Sequence, residues 1–233
     1  MLYHGRPELT KMSLLHLSNT AWLFEDEGFR VKTMVVGDSK EIRGYCEDHG
    51  LHHETFKNHP LAHKMTYAWI RAMQQNTDYI CWLGSNNVHG QGYWEVCMNR
   101  LNSNLCATFG TRNCVITSTK AGEDKTYLFH PSKGYLISAG QFFLRHSLYH
   151  SVNFLTVFDD DQTFAFDGSI LDAMTSKWGQ DIIEVVSFDE EDCLDIKGDE
   201  NIHSYESYAN AGYDEYIHRD ELKGRHFEFR QLL

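Results

Sequence analysis

The sequence predicts one α/β domain, with a parallel first half and a mixed second half folded onto it. Three observations predict this. Over residues 1–104, helical periodicity alternates with short apolar runs, the order that gives parallel strands joined by crossover helices. The run Tyr-Ile-Cys-Trp-Leu at 79–83 is apolar without alternation, as in a strand covered on both faces. No Pro/Gly/Ser-rich linker and no internal repeat divides the 233 residues, an ordinary length for one domain with a sizeable core. The first half is therefore Rossmann-like, and the rule for open α/β sheets puts ligands beyond the carboxyl ends of its strands.

The elements follow in order. Pro7 suits a first helical turn, Glu8 complements the dipole there, and Leu9, Met12, Leu15, Trp22 and Leu23 keep helical spacing until Gly28. Residues 31–37 read as a strand with Gly37, Asp38 and Ser39 as its exit. Ser39 caps a short helix to about His49. A helix follows Pro60, with Leu61, Met65, Ala68, Trp69, Ala72 and Met73 on one face. The strand at 79–83 ends in Gly84, Ser85, Asn86 and Asn87, and a helix follows over about 93–101. Beyond 105, β-rich pieces at 105–117, 126–130 and 134–139 alternate with helices at 141–150 and 168–177, and 182–188 reads as another strand.

Composition narrows the function classes. The net charge of −12 is regional: residues 151–200 hold 14 acidic against 2 basic side chains, whereas 81–150 hold 6 basic against 3 acidic. That balance argues against a general nucleic-acid coat protein, which carries a basic field. A local basic groove could draw on Arg112, Lys120, Lys125, Lys133 and Arg145, and a solvated surface explains the same five. No run of about 20 apolar residues is present, nor the segments of a signal peptide, so a cytoplasmic location is expected. The six cysteines form no C-x-x-C pair and read as reduced, mostly buried thiols. His59 and His63 have the i, i+4 spacing of zinc ligands, but no glutamate of the H-E-x-x-H kind lies between them. The run Asp159, Asp160, Asp161 reads as a solvated loop rather than a metal cluster.

Several segments together resemble one family. Tyr3-His-Gly-Arg-Pro-Glu-Leu resembles the strand-end opening of glycosyltransferases of the GT-A type. Asp38 falls where that family binds nucleobase or ribose. Pro60-Leu-Ala-His-Lys64, then Asp78-Tyr-Ile-Cys-Trp-Leu-Gly-Ser-Asn-Asn, resembles the approach to its Asp-x-Asp motif. Gly134-Tyr-Leu-Ile-Ser-Ala-Gly-Gln-Phe-Phe-Leu-Arg and Phe166-Asp167-Gly-Ser-Ile-Leu-Asp172 resemble acceptor-side segments. Leu194-Asp-Ile-Lys197-Gly-Asp-Glu-Asn-Ile-His203 resembles the closing segment of small phage and bacterial members.

The resemblance implies a single GT-A-like domain, a mixed sheet flanked by helices. Residues 1–104 would hold a nucleotide sugar, by resemblance a UDP-sugar, and 105–233 the acceptor. A leaving diphosphate needs its charge neutralised by a divalent cation or by Lys and Arg. Here Ser85, Asn86 and Asn87 stand where the family has its metal-holding carboxylates, and amides are weak ligands for Mg²⁺ or Mn²⁺. Three arrangements remain open: a weakly held metal (Asn87 and His203 its candidate ligands), replacement by Lys64, Lys197 or Arg6, or a site that binds without transferring. As a plain turn after a strand, Asn86 and Asn87 would serve the backbone instead. Asp167 is the candidate base for the acceptor hydroxyl, and a helix-terminal carboxylate is its structural alternative. Tyr3 is a candidate stacking platform for the base or a core residue. Small phage relatives modify hydroxymethylated pyrimidines, so hydroxymethylcytosine in DNA, receiving glucose or arabinose, is one acceptor the resemblance implies.

Overall fold

The computed structural model describes residues 1–225 except 4, 59, 104–106, 121, 131–135, 137–139, 163–165, 188–191, 198–204 and 212, with 223–225 described for backbone only. His203, Lys133, His59 and most of the 134–139 segment therefore lie outside the described residues.

Helix α1 is Pro7–Asp26, opened by Pro7 in the first turn. Strand β1 is Met34–Gly37. Helix α2, Lys40–Asp48, is capped by Ser39, whose Oγ accepts from the Ile42 N–H. Strand β2 is His52–Thr55, helix α3 Leu61–Met73 and strand β3 Tyr79–Trp82. Strand β4, Asn87–His89, leads into α4, Gln91–Ser103. Then come β5 Thr108–Gly110, β6 Cys114–Ser118, β7 Lys125–Phe129 and β8 Gln141–Leu144. Helices α5, Arg145–Ser151, and α6, Phe166–Trp178, precede β9, Ile183–Val185, and β10, Cys193–Lys197. Helix α7 Tyr205–Asn210, strand β11 Glu215–His218 and helix α8 Arg219–Arg225 follow. The expected helix over 141–150 is thus corrected: 141–144 form a strand, and the helix starts only at Arg145. Gln141, Phe142 and Phe143 are all buried, as an interior strand demands.

Leu2 organises the sheet. It bridges in parallel to Val36 on one side and to Gly84 on the other. The Leu2 N–H donates to Leu83 O at 3.1 Å, and the Tyr3 N–H to Val36 O at 3.4 Å. The main sheet therefore runs β2, β1, Leu2, β3, β8, β5, β9. β8 is antiparallel to both its neighbours; the other pairings are parallel. A second, five-stranded sheet has the order β11, β7, β6, β10, β4. The short link of Gly84, Ser85 and Asn86 carries the chain from the first sheet into the second.

Helices cover both faces of the main sheet. On one, Phe24 of α1 and Trp94 and Met98 of α4 pack on Phe109 and Phe142. On the other, Met65 and Trp69 of α3 and Ile170 and Met174 of α6 pack with Phe143. Each large side chain buried in this way stabilises by roughly 1.5–3 kcal/mol. This is a mixed α/β, Rossmann-like architecture. Among the described residues, no helix is long and apolar enough to cross a membrane.

Candidate functional site

The chain leaves the Leu2 segment through α1 to β1 and β2 on one side. It then returns through α3 to β3 on the other. The strand order reverses between Leu2 and β3, and in open α/β sheets a crevice forms there beyond the carboxyl ends. Four parts of the chain meet at that rim: the turn after Tyr3, the exit of β1 at Asp38, the link after β3, and the start of α1.

Arg6 is held there by its backbone. It is the one non-glycine residue with positive φ (49°) among the described residues, and it follows Gly5 at φ 57°. A left-handed Arg costs of order 1–2 kcal/mol, so the surrounding structure must impose it. Pro7 fixes the next residue as the first of α1, and Arg6 Nη2 donates to Ser85 Oγ at 3.3 Å. Ser85 is itself fixed, because Ser13 Oγ of α1 donates to its carbonyl at 2.9 Å. The rim thus carries a guanidinium beside the N-terminus of a 20-residue helix, an arrangement suited to anions.

Asp38 follows Gly37 and is exposed. Tyr3 lies beneath it, buried. Its ring fills the space where a Gly37 Cβ would stand, 2.3 Å from Tyr3 Cζ. Its hydroxyl accepts from the Ser39 N–H at 3.0 Å and lies 3.0 Å from His53 Nε2. Burial pushes the Tyr3 phenol up to about 12. Tyr3 therefore shapes the β1 exit from below and offers no open ring face. Lys64 is also buried, at 1% exposure. Its ammonium donates to Tyr3 O, and to Asn58 Oδ1 at 2.7 Å. Burial pulls it down to about 8, with the Asp38 charge pulling the other way. It is a cation under the floor of the rim, tying α3 to the end of the central strand.

Asn86 and Asn87 turn their amides inward over the link. A Cβ on Gly84 would lie 2.4 Å from Asn87 Oδ1 and 3.3 Å from Asn86 Oδ1, so any larger residue there would push the Asn87 amide aside. Asn86 Nδ2 donates to Asp195 Oδ1 at 2.5 Å, and Asn86 O accepts from the Ile196 N–H at 2.8 Å. Asp195 stands opposite Asn87 in the β10–β4 ladder. Its second oxygen accepts from Lys197 Nζ at 2.6 Å, and that ammonium lies 5.0 Å from the Tyr208 ring centroid. For Lys197, burial is the largest single influence and lowers the affinity for its proton, but the Asp195 charge and hydrogen bond, with Tyr208 and Cys114 nearby, together outweigh it and the net direction is up. Asp195 is a site neighbour that sequence reasoning missed. The available signal was its i, i+2 spacing from Lys197, which puts both on one face of a strand.

These residues fit a divalent cation poorly. The cluster has one carboxylate, already neutralised by Lys197, and two neutral amides, whereas Mg²⁺ and Mn²⁺ favour several anionic oxygens. Among the described residues no group of three His, Cys, Asp or Glu side chains could hold a metal.

Asp167 sits in the first turn of α6, at the same edge of the sheet. It lines a narrow crevice with Trp69, Trp82 and Gln141. Trp82 and Gln141 are directly opposite each other at the β3–β8 edge. Burial raises the Asp167 carboxyl above the ordinary range, offset in part by the N–H groups of Asp167 and Gly168. The structure thus brings Arg6, Asp38 and Ser85 to one rim, with Tyr3 and Lys64 under it. Asn86, Asn87 and Lys197 meet at Asp195, and Asp167 stands apart at the α6 end.

Two of the five basic side chains of the expected groove are engaged with other parts of the chain, and Lys133 lies outside the described residues. Lys125 Nζ pairs with Glu215 at 2.6 Å, and the Arg145 guanidinium donates to Met73 O at 2.8 and 3.0 Å. His63 lies 3.1 Å from exposed Asp160. Cys46, Cys81, Cys97, Cys114 and Cys193 are free thiols, four of them buried.

No family model and no curated protein matches the sequence. Among solved structures, the chain is similar to 4-diphosphocytidyl-2C-methyl-D-erythritol synthase from Anaerococcus prevotii DSM 20548. The match has 13% identity and a TM-score of 0.43, and covers 79% of this chain and 78% of that one.

Proposed function

We propose that this protein is a nucleotide-dependent transferase that moves a sugar from a nucleotide diphosphate sugar, a UDP-sugar by its sequence resemblance, to a hydroxyl acceptor. The observation that carries the reading is the Arg6 guanidinium, held in a costly backbone conformation on Ser85 at the sheet's switch point. The diphosphate lies against Arg6 and the start of α1, with Asp38 toward the base or ribose. Residues 1–104 supply this donor side, and 105–233 the acceptor side.

Asp167 takes the acceptor proton as the sugar C1–O bond to the phosphate breaks and the new C1–O bond to the acceptor forms. The leaving electron pair goes to the nucleoside diphosphate. A carboxyl lifted by burial is better matched to that task near neutral pH than an ordinary one. The donor set around Asn87 argues for fixed cations, with Arg6 in contact and Lys197 and Lys64 behind it, in place of Mg²⁺ or Mn²⁺. By resemblance, hydroxymethylcytosine in DNA is a concrete acceptor to try, with glucose or arabinose as the sugar.

The test is release of UDP from UDP-glucose and UDP-arabinose in EDTA, with and without hydroxymethylated DNA. Turnover in wild type that is lost in Asp167→Asn supports the reading. A second reading rests on Asp195 being fully engaged by Lys197 and Asn86: a protein that binds the nucleotide sugar and never consumes it. Stabilisation by UDP with no turnover of any donor would select that reading.

A further inference from the structure

Two residues that line the crevice with Asp167 each carry a buried polar atom with no partner. Gln141 is fully buried, and its Oε1 accepts nothing. Its orientation is settled by Thr108. The Thr108 hydroxyl donates to Phe142 O at 2.8 Å, so it can only accept from Gln141 Nε2, 3.4 Å away. The carbonyl end of Gln141 is therefore the unpaired end. Trp69, 2% exposed, lines the same crevice, and its indole Nε1–H likewise has no acceptor. Around them the ring of Trp69 stacks on Trp82 at 5.1 Å and on Phe154 at 5.5 Å, and among the described residues lining the crevice Asp167 carries the one ionisable side chain.

As the side chains stand, the crevice is narrower than a water molecule, so solvent does not satisfy either group. Leaving a buried donor or acceptor unpaired costs about 1–3 kcal/mol each. Here a donor and an acceptor belong to residues of one crevice, beside a carboxyl, so a single ligand group with one donor and one acceptor could serve both.

We propose that this crevice is a hydroxyl-binding subsite, in which one alcohol oxygen accepts from Trp69 Nε1–H and donates its proton to Gln141 Oε1 beside the Asp167 carboxyl. An alcohol oxygen offers one acceptor site and one O–H donor at a single atom, as the two groups require. Trp82 or Asp167 turns aside to admit it. The ligand class is a polyol or sugar alcohol carrying an unhindered primary hydroxyl. This assignment deepens the transferase reading and rests on it for the role of Asp167; the binding itself does not depend on a donor.

The experiment follows the Trp69 indole N–H cross-peak in ¹⁵N-labelled protein, assigned by its contacts with the Phe143 and Phe154 rings, while glycerol is titrated in. Gln141→Leu, which keeps the indole and removes the acceptor, is titrated alongside. The expected result is a saturable shift of the Trp69 peak by glycerol, with about tenfold weaker affinity in Gln141→Leu, the loss of one neutral hydrogen bond. A Trp69 peak that glycerol does not move, or moves identically in both proteins, overturns the proposal. A parallel thermal shift with UDP keeps the two readings apart. UDP stabilisation with a silent Trp69 sinks the subsite alone, and a responsive Trp69 without nucleotide stabilisation sinks the donor site alone.

Discussion

Lys64 gives a prediction whose size follows from the structure. Its side chain is buried and its ammonium is pulled from 10.5 to about 8, chiefly by desolvation. The folded protein thus releases this proton at lower pH than the unfolded chain does. Between those two values the unfolded state binds more protons, so the Lys64 contribution to stability rises with pH. Below pH 8 the full penalty is present, about 3 kcal/mol at 1.36 kcal/mol per pH unit. Between about pH 7 and 9.5 roughly 2 kcal/mol of it is relieved. Lys64→Met removes the titrating group and leaves Tyr3 O and Asn58 Oδ1 without a donor, a cost that does not change with pH. The assay is urea unfolding of both proteins across that range, because the difference between them cancels every other titrating group. Wild type should gain about 2 kcal/mol relative to Lys64→Met from pH 7 to 9.5. Parallel curves would refute the buried, depressed ammonium.

Four further outcomes follow. Asp195→Asn strands the buried Lys197 charge and should cost about 3–5 kcal/mol, and adding Lys197→Met should recover most of it; both are read by denaturant unfolding. Gly37→Ala drives a Cβ into the buried Tyr3 ring and should destabilise by about 1–3 kcal/mol in the same measurement. Arg6→Gly relieves the left-handed backbone and should raise stability by about 1 kcal/mol while weakening UDP binding at least tenfold, seen by calorimetry of each. Ser39→Ala removes the α2 cap and should lower stability by about 1 kcal/mol.

Much of the first half is legible in the chain because local rules and the fold agree there. Pro7 places the start of α1, Ser39 caps α2, and the unbroken apolar run makes β3. Strand β2, His52–Thr55, is polar and half exposed at the sheet edge, so nothing in its pattern marks it as a strand. Gln-Phe-Phe-Leu at 141–144 runs straight into a helix, and four residues carry too little period to separate the two. The burial of Lys64 is a finding of the structure, although its i−3 and i+4 neighbours Leu61 and Ala68 place it on the packed face of α3. The pairing of Asn86 with Asp195 was not, because it spans 109 residues and depends on the β4–β10 ladder. For the same reason the crevice of Trp69, Gln141 and Asp167, drawn from three distant segments, leaves no local mark.

On the proposed reading, the switch point between Leu2 and β3 binds a nucleoside diphosphate through Arg6 without a metal. Isothermal titration of wild type with UDP in EDTA tests it most directly, with Arg6→Gly as the control. The expected result is saturable one-to-one binding in EDTA that Mg²⁺ or Mn²⁺ does not strengthen and Arg6→Gly weakens. Binding that appears only with the metal, or binding that Arg6→Gly leaves untouched, would contradict it.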